Sequence, residues 1–261
     1  MSRLLAITRG VSQAFADCQL THLAREPIDV DRARRQHAEY ERALESLGCE
    51  IERIAGAPDL PDCVFVEDAA IVLDEVAILM RPGAESRRGE LPAVAKALIP
   101  HRPILSLEAP ATMDGGDVMV VGRAIFVGAS SRTNPEGIEQ LRLIAEPLGY
   151  AVHAVSVSGC LHLKSAVTAL DEATLLINPS WVGRAHFRGF AFVEVDEAEP
   201  TAANIARVGP HLLYSAGFPR TLEKLRNERY DVSIVNVSEI AKAEGAVTCC
   251  SLIFKPLTPG G

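Results

Sequence analysis

Pairs of short apolar runs, joined by tight polar turns and followed by a helical period, recur along this chain. No other feature restricts its fold as strongly. Residues 64–73 and 76–81 read as two strands around the turn Asp74-Glu75. Pro82-Gly83 then leads into a helix over 86–98, with a returning strand at 104–107. The next unit pairs 117–121 with 124–127 around Gly122-Arg123. Asn134 caps its helix, Pro135 takes the first position, and Ile138, Leu141, Ile144 and Leu148 share one face before a strand at 151–157. A third unit runs 163–169, turns at Asp171-Glu172, returns at 174–177 and ends in a strand over 190–195, with the weakest helix of the set. The fourth pairs 204–208 with 212–215, then gives a helix over 219–227 and a strand over 232–237. The unit starts at Asp68, Asp117, Lys164, Asn204 and Cys249 lie about 40 to 50 residues apart, a period typical of propellers and solenoids.

The last apolar run, 248–254, has no later partner, so the run at 4–8 is its natural neighbour. After 4–8 comes an irregular stretch over 10–29, with Phe15, Leu20 and Leu23 as its apolar points. Such long loops are usually functional lids or disordered segments. Asp29 or Asp31 caps the helix that follows, whose Val30, Ala33, His37, Tyr40, Leu44 and Leu47 recur at helical spacing until Gly48, and a strand is expected over 50–54. These ends would supply a fifth unit and close a ring, which also removes exposed sheet edges. The alternative, a doubly wound α/β sheet, fits poorly, because parallel neighbours need long crossovers rather than tight turns.

Bulk properties narrow the function. Twenty-six basic residues stand against 34 acidic ones, for a net charge of −8, and no polybasic run stands out. A dedicated nucleic-acid or membrane-surface binder is therefore not expected. No apolar stretch approaches the roughly 20 residues of a membrane span, and the run after Met1 is too short for a signal peptide. The six cysteines lack the density of a disulfide scaffold and show no CxxC pair. A cytoplasmic protein with reduced thiols is the expectation.

The chemistry concentrates at the unit starts. In a ring these positions converge, and they carry Glu67-Asp68, Asp114 with Asp117, His162 with Lys164, Asn204, and Cys249. A cysteine brought near a histidine is a nucleophile arrangement, since a cationic neighbour stabilises the thiolate. In the strand expected over 248–254, Cys249, Ser251 and Ile253 share one face, so Cys249 can meet a cavity while Cys250 packs in the core. Taken singly, each residue has a bland reading: a buried thiol as a small hydrophobe, a core histidine, a solvated arginine. Taken together, with acids at the same point of other units, they favour catalysis. Asp68 and Asp114 would hold a guanidinium, whose planar fork of N–H donors suits carboxylates. Arg87 and Arg132, where strand gives way to helix, could clamp a carboxylate or be solvated surface arginines, and spacing alone does not separate the two.

The segments Pro61-Asp62-Cys63-Val64-Phe65-Val66-Glu67-Asp68, Arg81-Pro82-Gly83-Ala84-Glu85-Ser86-Arg87-Arg88, Asp114-Gly115-Gly116-Asp117, Ser131-Arg132-Thr133-Asn134, Leu161-His162-Leu163-Lys164-Ser165 and Thr248-Cys249-Cys250-Ser251 resemble, in order and over nearly the whole chain, the motifs of the dimethylarginine dimethylaminohydrolase family. The resemblance implies a single catalytic domain over 1–261 with the α/β, five-bladed ββαβ pentein propeller fold. It further implies hydrolysis of Nω-methylated arginines to citrulline and a methylamine, without a cofactor. Carried over residue by residue, it assigns Cys249 as nucleophile, His162 as acid–base and Asp114 as the acid that orients the histidine. Asp68 would hold the guanidinium, and Arg87 and Arg132 the substrate α-carboxylate, with Asp62 and Glu67 in the pocket wall. Leu20 would belong to a lid, and the Ala243 backbone would meet the α-amino group. Asp114 is glutamate in some relatives. Zinc captured by Cys249 and His162 would act as an inhibitor, and no metal is required. The implied partner is a small guanidino substrate, with the chain a monomer or homodimer. Arginine deiminases and amidinotransferases share this logic, and the propeller-shaped ribosome anti-association factors share the architecture without catalysis.

Overall fold

The computed structural model describes residues 4–257, so residues 1–3 and 258–261 of the 1–261 expectation lie outside the described residues. The chain begins with β1 (Leu4–Arg9), α1 (Val30–Ser46) and β2 (Cys49–Ile54). Next come β3 (Ala70–Val72), β4 (Ala77–Leu79), α2 (Leu91–Leu98) and β5 (Ile104–Ser106), then β6 (Val118–Val121), β7 (Ala124–Ala129), α3 (Pro135–Ala145) and β8 (Ala151–Ser156). The third unit holds α4 (Leu163–Ala166), β9 (Val167–Ala169), β10 (Thr174–Ile177) and β11 (Ala191–Glu194). The rest comprises β12 (Ile205–Val208), β13 (His211–Ser215), α5 (Pro219–Asn227), β14 (Val232–Val235), α6 (Ser238–Ala241) and β15 (Ser251–Phe254).

These strands form five three-stranded sheets, β3-β4-β5, β6-β7-β8, β9-β10-β11, β12-β13-β14 and β15-β1-β2. In each, a first strand pairs antiparallel with the middle one, and the third returns parallel to it, as in Ala70↔Leu79 and Ala77↔Ile104. The termini do pair: Leu5↔Phe254 is antiparallel, and Leu4↔Cys49 is parallel. Apolar clusters lie between successive sheets. Ile71 and Ile78 pack with Val118 and Ile125, Met119 with Val167, and Leu176 with Ile205. Leu5 and Leu252 pack with Ala70, while Ala6 and Cys49 share a cluster with Val208 and Val235. A cavity of about 620 Å³ is lined by residues of β3, β6, β9, β12 and β15.

Local chemistry explains the helices. The Asp29 side chain accepts from Arg32 N at 2.9 Å and caps α1, while Gly48 just beyond its end takes φ 95°. Asn134 likewise accepts from Gly137 N at 2.8 Å, a cap worth about 1 kcal/mol. Ala33, His37, Tyr40 and Leu44 are the buried stripe of α1.

The strand openings differ from the sequence reading. The expected strands at 64–73, 117–121 and 163–169 each open in a helical turn: 3-10 turns at Val66–Ala69 and Gly115–Asp117, and α4. Thr248, Cys249 and Cys250 also lie in a turn, ahead of β15 rather than within a strand. The reason is backbone bonding between units. Gly116 N donates to Asp68 Oδ1 at 3.0 Å, Leu163 N to Asp117 Oδ1 at 3.0 Å and Glu67 N to Cys249 O at 3.2 Å. Those N–H groups serve the neighbouring unit instead of a ladder. The helix expected over 86–98 opens as a 3-10 turn at Glu85–Glu90, and the third unit has only a 3-10 turn, Arg184–His186, where a helix was expected. Within 10–29 the chain makes a 3-10 turn at Phe15–Asp17.

Candidate active site

The turns that open the strands bring the expected groups together. A narrow cavity of about 20 Å³ is lined by Cys249, His162, Asp68, Asp62, Arg87 and Arg132, among others. Cys249, His162 and Asp68 line this smaller cavity and not the larger one.

Cys249 and Cys250 divide as the alternation argument expected, although they sit in a turn. Cys250 is fully buried in the core, and Cys249 is half-buried at the cavity. Ala246 N points at Cys249 Sγ at 3.4 Å, and the Tyr40 hydroxyl of α1 supports the turn from below by donating to Val247 O at 2.8 Å. Burial raises the Cys249 thiol well above its ordinary range, and Glu67 and Asp68 push it further. At neutral pH this cysteine is therefore a thiol rather than a thiolate.

His162 is buried between two acids. Its Nε2 lies 3.1 Å from Asp114 Oδ2, and its Nδ1 lies 3.8 Å from Asp68 Oδ1. Burial alone would lower its pKa, but Asp68 and the Asp114 bond outweigh that and raise it to about 9. The ring is thus an imidazolium at neutral pH. Gly116 makes this fit possible, because a Cβ there would lie 2.6 Å from His162 Nδ1 and 2.7 Å from Asp68 Oδ1. Burial opposes the Asp68 charge, yet His162 and Arg87 hold its pKa down to about 2. Asp114 Oδ1 accepts from Gly83 N at 2.9 Å, which fixes the acid that fixes the histidine. Behind them, Asp117 accepts from Thr133 Oγ1 at 2.7 Å and from Leu163 N at 3.0 Å.

Asp68, Asp114 and His162 could share a metal by distance. The donor set does not suit one. Arg87 Nη1 occupies Asp68 Oδ2 at 2.5 Å, Arg132 Nη1 stands 3.8 Å from Asp114, and the histidine is protonated.

Other expected residues fall in varied places. Arg132 lines the cavity and is half-buried, with Nη2 donating to Thr21 Oγ1 at 3.1 Å. Arg87 lines it too, but its donors are largely engaged by Asp68, by Glu90 through Nε at 3.0 Å and Nη2 at 2.8 Å, and by Phe65 O at 3.1 Å. Asp62 accepts from Gln19 N, and burial raises its pKa. Ala243 is buried in the wall. Glu67 faces the larger cavity, with Lys164 Nζ at 2.6 Å on one oxygen and Thr248 Oγ1 at 2.7 Å on the other. Leu20 packs half-buried against the core, and its neighbour Gln19 lines the cavity instead.

Three groups escaped the sequence reading. Glu90 pairs with Arg87 at a three-residue helical step, a spacing that could have revealed it. Gln19 carried no local signal. Glu244, at φ 58°, accepts from Thr21 N at 3.0 Å, His22 N at 2.5 Å and Leu23 N at 2.6 Å. It ties the expected lid to the loop that precedes Cys249.

A thiol, an imidazolium and fixed carboxylates thus meet around one small cavity, the groups that nucleophilic hydrolysis draws on. The family model for N,N dimethylarginine dimethylhydrolase, eukaryotic, matches residues 17–185. The N(G),N(G)-dimethylarginine dimethylaminohydrolase of Streptomyces coelicolor is 40% identical over 259 residues, 97% of each chain. A mutant of the Pseudomonas aeruginosa enzyme complexed with citrulline superposes with a TM-score of 0.92 at 36% identity, covering 97% of this chain and 100% of that one. A dimethylarginine dimethylaminohydrolase adduct with S-methyl-L-thiocitrulline gives 0.91 at 35% identity, with the same coverage. The chain belongs to the dimethylarginine dimethylaminohydrolase family.

Proposed function

We propose that this protein hydrolyses Nω-methylated L-arginine to L-citrulline and dimethylamine or methylamine, as a linear-amidine hydrolase. The observation that carries the reading is the meeting of Cys249 and His162 in one cavity, with Asp68 and Asp114 fixed against the imidazole. Guanidinium is a poor electrophile because resonance spreads its charge, so both a strong nucleophile and a protonated leaving group are needed. As the cation seats against Asp68, its charge favours the Cys249 thiolate, which attacks the central guanidino carbon. His162, held as imidazolium, protonates the departing amine. Among the described residues its Nδ1 has no hydrogen-bond partner at 3.5 Å or less, and so is the nitrogen left for that task. The S-alkylthiouronium intermediate is then cleaved by water, with His162 acting as base.

Arg132 is the group best placed to take the substrate α-carboxylate, because its guanidinium reaches the cavity with fewer buried partners than that of Arg87. Arg87 fits a second role, holding the Asp68 charge in place. Asp62 and Ala243 stand as wall contacts, and Leu20 and Glu67 act from behind the wall. Zinc bridging Cys249 and His162 would block both groups, and the reaction as written needs neither metal nor cofactor. We further propose that the five sheets close into a pseudo-fivefold ββαβ propeller over a single catalytic domain. Apolar clusters between successive sheets and the cavity lined from all five support this closure. A cytoplasmic location suits six free cysteines, one of which must stay a thiol to act. Citrulline release from asymmetric dimethylarginine, monomethylarginine and arginine, measured side by side, tests the reading. Turnover of the methylated substrates supports it, and turnover of arginine alone makes the chain a deiminase.

A further inference from the structure

The fourth sheet sends no reacting group into the cavity, yet one of its residues touches the turns of both the nucleophile and the histidine. Asn204, buried just ahead of β12, donates from Nδ2 to Lys164 O at 3.0 Å and to Thr248 Oγ1 at 3.0 Å. Its Oδ1 accepts from Thr248 N at 3.1 Å. Every polar atom of the amide is engaged. Thr248 immediately precedes Cys249, and Lys164 lies two residues past His162. The network then closes through Glu67, which accepts from Thr248 Oγ1 at 2.7 Å and from Lys164 Nζ at 2.6 Å, and whose own N donates to Cys249 O at 3.2 Å. The residue after Glu67 is Asp68. Three turns bearing Asp68, His162 and Cys249 are thus stitched together on the side away from the pocket.

We infer that Asn204 is a positioning residue, holding the Thr248–Cys249 turn in register with the His162–Lys164 turn so that thiol and imidazole meet one substrate. Only an amide suits the place. Two donors and one acceptor are required, and a carboxylate would set lone pairs against Lys164 O. A satisfied buried network of this kind makes a geometry unique, and loss of one member leaves the others unpaired. The inference rests on the reaction proposed above, since positioning matters through the attack distance.

The test compares Asn204→Asp and Asn204→Ala with the unsubstituted protein in two assays. Citrulline release gives kcat and KM separately. Iodoacetamide alkylation, read peptide by peptide in a mass spectrometer, gives the labelling rate of Cys249 against that of buried Cys63. Misplacing reacting groups by about 1 Å costs about 100-fold, so kcat should fall by about 10- to 100-fold while KM stays within about threefold. Cys249 should label at least about fivefold faster as its turn loosens, with Cys63 unchanged. The inference is overturned if kcat stays within about twofold of the unsubstituted value. It is also overturned if Cys63 labelling rises in step with that of Cys249, because the change is then a general loosening of the fold. Should the unsubstituted protein release no citrulline from any arginine tried, the reaction reading fails by itself. Faster Cys249 labelling in the variants would still uphold the stitch, and unchanged labelling would remove it.

Discussion

The first strands of the sheets begin and end in charge, but the two ends handle it differently. Ahead of β3, Arg87 meets Asp68 at 2.5 Å with side-chain exposures of 6% and 5%. At the far end, in the β3–β4 hairpin, Glu75 meets Arg123 at 2.7 Å with exposures of 34% and 52%. The contacts are nearly equal in length, and their environments are opposite. Where water is excluded, each charge must keep every partner, and removing one typically costs about 3–5 kcal/mol. Where water is present, solvent replaces the partner and salt screens the pair. An expensive cluster at one end and a cheap one at the other indicate that the buried end is kept for chemistry rather than for stability.

The sharpest way to break that comparison is at the sulfur. Cys249→Ser should lower citrulline release by about 10³-fold or more, as loss of a nucleophile does. Its melting temperature should barely change, because the group faces a cavity. Cys250→Ser, which places a hydroxyl in a fully buried core position, should show the reverse, retaining much of the turnover and melting several degrees lower. Equal losses of turnover in both variants would mean that the turn does not sort the two thiols.

His162→Gly comes next, with turnover reduced by about 10²–10⁴-fold and the circular dichroism spectrum unchanged. The histidine also sets a pH dependence. Its folded pKa of about 9 lies above the ordinary histidine value, so the stability it contributes is complete below about 6.5. That contribution is lost as pH rises through about 9. The melting temperature of the unsubstituted protein should therefore fall between neutral pH and pH about 10 by more than that of His162→Gly. Parallel curves would show that the acids beside the ring do not hold its proton.

At the pocket rim the effects become smaller. Arg132→Ala should raise KM about tenfold with a modest change in kcat, since it removes binding that ground state and transition state share. Glu244→Gln should raise KM by about two- to fivefold through a looser lid, because a neutral amide oxygen accepts the Thr21, His22 and Leu23 N–H groups less strongly than a carboxylate. An unchanged KM in the first variant would remove Arg132 from the carboxylate clamp. In the second it would mean that the lid is held without Glu244.

The same contrast accounts for what could be read from the chain. α5 and β10 were legible to the residue, and the turns Asp74-Glu75, Gly122-Arg123 and Asp171-Glu172 fall between paired strands as expected, because turn chemistry and side-chain period are local. The termini pairing as a fifth sheet followed from counting units. What local pattern could not show is that the apolar runs at 64–73, 117–121 and 163–169 begin by turning helically, since the N–H groups there bond across units. Ordered short motifs singled out Cys249, His162, Asp68, Arg87 and Arg132, which line one cavity. Their supports, Gln19, Glu90 and Glu244, were missed, because each acts on a partner named by the fold rather than by sequence spacing, apart from the Arg87–Glu90 step.

The smallest expected effect tests the cheap end of the comparison. Glu75 accepts from Arg123 at 2.7 Å and from the Tyr150 hydroxyl at 3.1 Å, and the Arg123 guanidinium lies 4.5 Å from the centre of the Tyr150 ring. The Arg123 bond, followed by Tyr150, lowers the Glu75 pKa against a small burial cost. In Glu75→Gln the amide oxygen can still accept one of these bonds, and the arginine keeps both the ring and Asp74 at 3.5 Å. Turnover should therefore match that of the unsubstituted protein, and the melting temperature should move by no more than about 2 °C. Any shift should shrink further in about 0.5 M salt, where screening already weakens the pair. A loss of turnover in this variant would show that the far hairpin communicates with the pocket. The division between a reactive end and a solvated end would then have to be abandoned.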